Sequence, residues 1–317
     1  MDMPDRATKR LDDAARAAWL YYIAGKTQDE VAGILGVSRQ SAQRMVSLAM
    51  SSGLVKVRID HPIGQCMSLA AALSERFGLS LCEVVPSLPG SDASLPVAHA
   101  TADVIERWLL RPEAGVMGLG TGRTLRAAIE ALPRIDCPQH RIVSLTGNIA
   151  PDGSTAFYNV LFSISDKVTA PTYPLPMPVI ATSAAERDML LTQKTIAAAR
   201  DLAARADLAV VGVGQMDAAA PLLLDGFITR AELDELRAAG AVGEILGWAF
   251  DASGKVIPGL MNDRVSAADL WAGGAEGRQI LGVAGGAGKL PAIRGALEGG
   301  LLNGLVTDEE TATALLA

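Results

Sequence analysis

The stretch from Thr27 to Val46, TQDEVAGILGVSRQSAQRMV, constrains the fold of this chain most, because it fits two short helices joined by a tight turn. Thr27 and Glu30 have the spacing of a capping box, in which a hydroxyl and a carboxylate satisfy the first unpaired N–H groups of a helix. Gly36-Val37 is typical of the turn, and Ser38 can cap the second helix. The pattern predicts a helix-turn-helix.

The second predicted helix has one apolar face and one polar face. Its apolar residues follow helical spacing and are Ala42, Met45, Val46 and Ala49. The polar face contains no carboxylate and is rich in side chains that pair with base edges and phosphates. The motif therefore predicts DNA contacts by Gln28, Ser38, Arg39, Gln40, Ser41, Gln43 and Arg44. The alternative is an ordinary helical hairpin with a solvated polar face.

The flanks of the motif favour DNA binding over a plain hairpin. Leu11–Ile23 has the pattern of a preceding amphipathic helix, and Gly53–Ile59 alternates like a wing strand that carries Lys56 and Arg58. Residues 1–60 hold 9 Lys/Arg and 7 Asp/Glu, a net charge of +2, whereas the whole chain is at −7. An acidic body with a slightly basic head agrees with DNA contact through the head. The small excess favours a dimer or larger oligomer on paired half-sites.

A length of 317 residues predicts two domains. The boundary is placed at Asp60-His61-Pro62, because Pro62 cannot continue a strand ladder. Residues 1–60 are then the DNA-binding domain, and residues 61–317 are an effector-binding and oligomerisation domain.

The cysteines and histidines are few and scattered along the chain. Cys66, Cys82 and Cys137 form no CxxC pair, which is typical of a reducing compartment. The three histidines do not cluster, so we expect no metal site and no cofactor. The charged N-terminus and the lack of an 18-residue apolar run predict a cytoplasmic protein that does not enter a membrane.

From Leu81 onward, short apolar runs alternate with helical patterns, which predicts an α/β domain with a Rossmann-like parallel sheet covered on both faces. The predicted strands are Cys82–Val85, Gly115–Leu119, Ile142–Leu145, Val179-Ile180, Leu208–Val213, Ile245–Phe250 and Ile280–Ala284. The predicted helices are Ile63–Phe77, Val97–Leu110, Thr124–Leu132, Met189–Ala206, Arg230–Ala238, Leu290–Leu297 and Asp308–Leu316. Pro171–Pro178 is predicted to be a rigid loop.

The turn Gly118–Thr124, GLGTGRT, follows an apolar strand and opens a helix. Its glycines let backbone N–H groups converge on an anion, and the helix N-terminus adds a favourable dipole. It lacks the Gly-Lys-Ser/Thr of a Walker A loop, and its GxGxG spacing is not the dinucleotide fingerprint. It predicts a phosphate cradle; the alternative is a tight strand-to-helix turn that holds no ligand.

Further residues are expected at the carboxyl edge of the same sheet, where ligands of parallel α/β folds bind. A second glycine-rich turn, Gly282–Lys289, has a lysine that can reach an anion, and the turns Thr146–Asn148 and Gly212–Gly214 would line the same edge. Glu244 and Asp251 can accept hydrogen bonds from sugar hydroxyls, although they can equally be solvated or structural carboxylates. The predicted effector contacts are Gly120, Thr121, Gly122, Arg123, Thr124, Gly147, Asn148, Glu244, Asp251, Gly285, Gly286 and Lys289.

Over nearly its full length the chain resembles the SorC family of bacterial sugar-responsive transcription regulators. The resemblance rests on the helix-turn-helix, on GLGTGRTL at 118–125, on DLAVVGVG at 207–214, on GAVGEILGWAFDASG at 240–254, and on the block at 282–316 with its AGG, Lys, ALxGG and LVTDE. The segment 10–32 is most similar to the branch linked to erythritol, sorbitol or mannitol use.

This resemblance implies an effector domain similar to sugar-phosphate isomerases, a phosphorylated sugar or polyol as effector, and a tetramer built as a dimer of dimers. It also implies that residues 120–124 and Lys289 contact the phosphate group of the effector. Glu244 stands where many members have Asp, which is also an acceptor. Asn148 stands where Gly is expected, so the floor of the pocket can differ.

The leading hypothesis is that the chain is a DNA-binding regulator of carbohydrate or polyol catabolism, such as a repressor. A phosphorylated sugar or polyol would control its binding to DNA. Its predicted partners are double-stranded operator DNA, the small-molecule effector and further copies of the chain. The alternative is a sugar-phosphate isomerase with an N-terminal extension, which needs a general base such as Glu244 or Asp251. A sugar-binding adaptor without DNA binding is a third hypothesis.

Overall fold

The computed structural model describes residues 6–55, 64–87, 94–155, 160–271 and 277–317. The chain divides into two units, Met1–His61 and Pro62–Ala317. The first unit contains helices α1 (Arg6–Ala18), α2 (Gln28–Leu35) and α3 (Arg39–Ser51), and a π-helical turn, Trp19–Ile23, continues α1. The predicted wing residues Lys56 and Arg58 and the predicted boundary Asp60-His61-Pro62 lie outside the described residues.

The helix-turn-helix prediction is confirmed, and the caps form as the sequence indicates. The Thr27 backbone N–H donates to Glu30 Oε2 at 2.8 Å, and the Glu30 N–H donates to Thr27 Oγ1 at 3.3 Å. Gly36 ends α2 in the left-handed region at φ 66°, and Ser38 Oγ accepts from the Ser41 N–H at 3.2 Å. The three helices pack on a small core of Ala17, Val31, Ala32, Ala42 and Val46.

The second unit is built on a parallel sheet of seven strands in the order β1-β10-β9-β5-β2-β3-β4. These strands are β1 (Leu81–Val85), β2 (Val116–Leu119), β3 (Arg141–Ser144), β4 (Thr172–Tyr173), β5 (Leu208–Gly212), β9 (Gln279–Val283) and β10 (Gly304–Asp308). A small antiparallel sheet contains β6 (Gly214–Gln215), β7 (Ala241–Ile245) and β8 (Trp248–Asp251).

Helices cover both faces of the parallel sheet. They are α4 (Gly64–Phe77), α5 (Ser94–Leu109), α6 (Arg123–Ala131), α7 (Val160–Ser165), α8 (Ala184–Leu191), α9 (Lys194–Ala203), α10 (Pro221–Leu224), α11 (Arg230–Ala238), α12 (Leu290–Glu298) and α13 (Glu309–Leu316). Val210 and Val211 are both fully buried, in two different cores on opposite faces of β5. Burial on both faces explains why the strands read as continuous apolar runs. None of the helices in the described ranges has the length and apolar character needed to cross a membrane.

Three predictions about the sheet are wrong. Val179-Ile180 forms no strand, since only Ile180 forms an isolated bridge, with Val265, and the edge strand β4 lies inside the proline-rich segment predicted to be a loop. Residues 245–250 are the turn and second strand of the β7–β8 hairpin, with Leu246 at φ 56° and Gly247 at φ 89°. Positive φ at both central residues is what a tight hairpin turn requires. The strand β10 was not predicted; it lies directly before the predicted helix Asp308–Leu316.

Candidate functional site

A cavity of about 280 Å³ opens at the carboxyl ends of β2, β5 and β9, the edge predicted for the ligand. The strand order places the turn after β2 between the ends of β5 and β3. The predicted site residues that line this cavity are Thr121, Gly122, Arg123, Thr124, Glu244 and Lys289. Residues far apart in sequence therefore meet in one place because their strands end at the same edge.

The turn after β2 has the geometry of an anion cradle. Gly122 caps α6 without a side-chain hydrogen bond and has φ 133°, a conformation that L side chains rarely adopt. The first-turn N–H groups and the dipole of this nine-residue helix therefore favour an anion beside Gly122. Gly120 does not line the cavity; a Cβ there would come within 3.0 Å of Leu246 Cδ2, so the glycine allows close packing.

Two cationic side chains line the cavity. Arg123 begins α6, and its Nη2 lies 2.9 Å from Asp225 Oδ1. The Asp225 side chain is only 15% exposed, whereas that of Arg123 is 53% exposed. Lys289 comes from the turn Ala287–Lys289 after β9 and reaches the same cavity. The Arg123–Asp225 pair joins α6 to the segment that follows α10.

Glu244 is one of two carboxylates that line the cavity, the other being Asp225. Glu244 lies on β7, and its Oε2 accepts a hydrogen bond from the Gly247 N–H at 2.7 Å. Burial raises the pKa of the Glu244 carboxyl, and the Gly247 N–H and the charge of Lys289 only partly oppose that shift. A Cβ at Gly214 would collide with Glu244 Oε1. A residue without a side chain at 214 is therefore needed for the carboxylate to occupy its place.

Asp251 does not reach the cavity, contrary to the prediction. It lies opposite Ala241 at the far end of the β7–β8 hairpin from Glu244. Its Oδ1 accepts hydrogen bonds from Ser253 Oγ, from the Ser253 N–H and from the Lys255 N–H, at 2.7, 2.9 and 3.1 Å. The hydrogen bond from Ser253 Oγ is the main cause of the lowered pKa of Asp251. Asp251 is a turn-forming residue.

Gly285 and Gly286 also do not line the cavity. The Gly286 N–H donates to Asp308 Oδ2 at 3.0 Å and to Thr311 Oγ1 at 2.8 Å. This amide is already engaged by a carboxylate, whose charge would oppose a bound anion. The second glycine-rich turn thus contributes Lys289 to the cavity but no backbone cradle.

Gly147 and Asn148 pack against the chain behind the cavity wall. The Asn148 N–H donates to Met177 O at 3.0 Å, and a Cβ on Gly147 would collide with Met177 O and Pro178 O. The preceding residue, Thr146, is the one that lines the cavity.

Several other residues that line the cavity were not predicted from the sequence. Asp225 and Phe227 lie on the connection between α10 and α11, which has no glycine-rich or periodic pattern. Gln215 follows the predicted turn Gly212–Gly214 directly, and this position just after the end of β5 is the sequence signal for its place in the cavity.

The predicted DNA-contacting residues lie on α2 and α3. Arg39, Gln40, Gln43 and Arg44 are exposed, and Gln28 and Ser41 are half-buried. Ser38 is engaged as the cap of α3. Arg39 Nε lies 3.5 Å from Asp29 Oδ1, so one carboxylate of α2 sits beside the polar face of α3. A groove between α1 and α3 brings Lys9 and Arg10 close to Arg44.

Comparison with known proteins identifies the family. The family model described as "Putative sugar-binding domain" matches residues 61–317. The chain is 38% identical over 306 residues to the Erythritol catabolism regulatory protein EryD of Brucella abortus, with 96% of each protein covered. It is 32% identical over 308 residues to the Transcriptional regulator LsrR of Klebsiella pneumoniae, with 96% of this chain and 92% of that protein covered.

Among solved structures, the full-length Sorbitol Operon Regulator SorC from Klebsiella pneumoniae superposes with a TM-score of 0.71 at 25% identity. The superposition covers 98% of this chain and 100% of that one. These three proteins are named as regulators, so they do not support the isomerase alternative. With its helix-turn-helix, its parallel α/β unit and these relatives, the chain belongs to the SorC family of sugar-binding transcriptional regulators.

Proposed function

We propose that this regulator binds operator DNA through α2 and α3, and that a phosphorylated sugar or polyol in the cavity changes its affinity for that DNA. The observation that carries the proposal is the meeting of the N-terminus of α6, Arg123, Lys289 and Glu244 around one cavity. A phosphoryl group needs the cations and the helix N-terminus, and ligand hydroxyls need an acceptor such as Glu244.

The polar face of α3 supports the DNA side of the proposal. Arg39, Gln40, Gln43 and Arg44 are exposed on a capped helix that follows a tight turn, the arrangement in which a second helix enters the major groove. The relatives named for erythritol catabolism and for the sorbitol operon support a polyol as the effector, and the two cations of the cavity support its phosphorylated form. The protein acts in this proposal as a repressor and as a dimer or tetramer.

Thermal-shift measurements with paired free and phosphorylated polyols test the effector assignment. We expect erythritol 4-phosphate or sorbitol 6-phosphate to raise the melting temperature of the full chain more than the free polyol, because a ligand that binds the native state stabilises it. The compound should be recovered unchanged. A shift with free polyols alone would contradict the phosphate assignment, and conversion of the compound would favour an enzyme.

Lys289→Ala tests the site itself. Loss of a charged hydrogen-bond donor should weaken the binding of the phosphorylated polyol about tenfold or more. The DNA ligand is a duplex that the wild-type protein selects from a random library. The phosphorylated polyol should no longer release this DNA from the variant. DNA affinity without effector should stay as in the wild type. Lys194→Ala, an exposed lysine at the start of α9, is the matched control. A Lys289→Ala variant with normal release would exclude Lys289 from the effector site.

A further inference from the structure

Two residues that line the cavity each have a buried polar atom for which the described residues provide no hydrogen-bond partner. The two atoms are Thr146 Oγ1 and Gln215 Oε1. Buried polar groups in proteins nearly always have a partner, and each one without a partner in the chain calls for an explanation such as a water, an ion or a ligand. The other unpartnered buried atoms belong to residues that do not line this cavity.

Thr146 is held in place by contacts that leave its hydroxyl unused. It follows β3 and is 2% exposed, and its backbone oxygen accepts from Ser144 Oγ at 2.8 Å. The methyl group of a valine would fill the same volume without leaving a polar atom unpaired. The fold alone therefore does not explain why this position carries a hydroxyl group.

Gln215 stands on the other side of the anion cradle. It lies on β6 just after β5, whereas Thr146 follows β3, and the sheet order β5-β2-β3 puts the turn after β2 between them. The Gln215 amide nitrogen donates to Ala219 O at 3.5 Å, which leaves the amide oxygen of this lining residue as an acceptor without a partner. The cradle is therefore flanked by a hydroxyl and by an amide oxygen.

We propose that Thr146 and Gln215 bind the hydroxyl groups of the effector and select a polyhydroxylated ligand over other phosphate esters of the same size. This inference rests on the proposed function, since it concerns the same cavity. The amide oxygen of Gln215 needs an O–H or N–H donor, and the Thr146 hydroxyl can donate as well as accept. A ligand with neighbouring hydroxyls supplies both kinds of group, whereas an alkyl phosphate supplies neither.

Two probes separate hydroxyl recognition from phosphate binding. Erythritol 4-phosphate and 4-hydroxybutyl phosphate share chain length, phosphate and terminal hydroxyl, and differ in the two inner hydroxyls. Calorimetric titration of the full chain should give an affinity for erythritol 4-phosphate that is about tenfold or more higher, because a site built for hydroxyls rejects analogues that lack them.

Thr146→Val and Gln215→Met should each remove most of this preference. We expect each variant to bind erythritol 4-phosphate about tenfold more weakly and to bind 4-hydroxybutyl phosphate as the wild type does. Thr146→Val should also melt no lower than the wild type, because it removes a hydroxyl that has no partner in the fold. Thr307→Val is the matched control: Thr307 Oγ1 is equally buried and unpartnered, but it does not line the cavity.

The outcomes separate this inference from the function on which it rests. Variants that keep the wild-type preference would overturn the role of Thr146 and Gln215 while leaving the phosphate site intact. A wild type that binds free erythritol but neither phosphate would overturn the phosphate cradle, and the same variants measured with free erythritol would then decide the hydroxyl site. A wild type that binds none of these compounds would overturn both proposals.

Discussion

At the scale of single residues, the cavity depends on glycine positions that have no side chain as well as on the side chains that line it. Gly214 makes room for Glu244, and Gly122 lets α6 begin without a side-chain cap at the cradle. Glu244 in turn is held by the Gly247 N–H at the hairpin turn. A substitution at Gly214 or Glu244 therefore changes the carboxylate in the cavity, and a substitution at Gly122 changes the anion cradle.

Glu244→Gln should change how stability depends on pH. Burial raises the pKa of Glu244, so the folded chain holds this proton more tightly than the unfolded chain does. The stabilisation is fully present below the ordinary value of 4.5 and is lost as pH rises through the raised folded value. The melting temperature of the variant relative to the wild type should therefore increase from about pH 4.5 upward.

Melting scans across this pH range measure the effect, and Glu235→Gln, on the exposed surface of α11, is the control. A constant difference between Glu244→Gln and the wild type would show that Glu244 does not titrate in the folded protein as its surroundings indicate.

Gly214→Ala should lower both the stability of the protein and its affinity for the effector. The added methyl group would collide with Glu244 Oε1 and force the carboxylate to move. Overpacking of this kind lowers the free energy of unfolding by about 1–3 kcal/mol. Gly212→Ala is the steric control, because its Cβ would meet only Thr121 O at an ordinary 3.5 Å. Equal denaturation midpoints for the two variants would contradict the steric account.

At the scale of elements, the helix-turn-helix combines a small apolar core with caps at the starts of α2 and α3. Its core consists mostly of alanine and valine, so the amphipathic faces bury little area. The capping box of α2, the left-handed Gly36 and the Ser38 cap of α3 fix where each helix begins and ends. The orientation of the polar face of α3 follows from these local signals.

Thr27→Ala should weaken DNA binding although Thr27 is not one of the predicted DNA contacts. Loss of an N-cap lowers helix stability by about 1 kcal/mol, and the two hydrogen bonds that use Thr27 Oγ1, to Glu30 Oε2 and from the Glu30 N–H, would be lost. We expect lower affinity for selected DNA, with the loss increasing on heating. Thr27→Ser keeps the cap and should restore binding. If Thr27→Ser bound as poorly as Thr27→Ala, the cap would not be the cause.

At the scale of the whole molecule, the two units carry opposite charge and different tasks. Residues 1–60 have a net charge of +2 within a chain of −7, so a single copy offers little attraction for DNA. Binding by several copies multiplies the number of phosphate contacts. The proposed dimer or tetramer supplies those copies.

The salt dependence of DNA binding by the Arg44→Ala variant should therefore show how many subunits bind the duplex. Each phosphate contact that is removed reduces the slope of log affinity against log salt by about 1. A reduction of about 2 would indicate two subunits on the duplex, and about 4 would indicate four. Arg237→Ala removes the same charge from the surface of α11 and should leave the slope unchanged. An unchanged slope for Arg44→Ala would remove Arg44 from the interface.

The sequence by itself determined the elements whose signals are local. The caps of α2 and α3, the turn at Gly36, the bounds of α11 and the apolar runs of β2, β5 and β9 all follow from residues close in the chain. The turn at residues 118–124 was predicted for the same reason, since a strand, glycines and a helix start are adjacent there.

Only the tertiary structure decided which residues share the cavity. It excluded Asp251, whose carboxylate is engaged by its own turn, and Gly286, whose N–H is bound by Asp308. It brought in Asp225 and Gln215, which lie far in sequence from the cradle. The physical reason is that strand order and the hydrogen bonds between distant segments are set by packing, whereas a pattern in neighbouring residues indicates only the partners that are close in the chain.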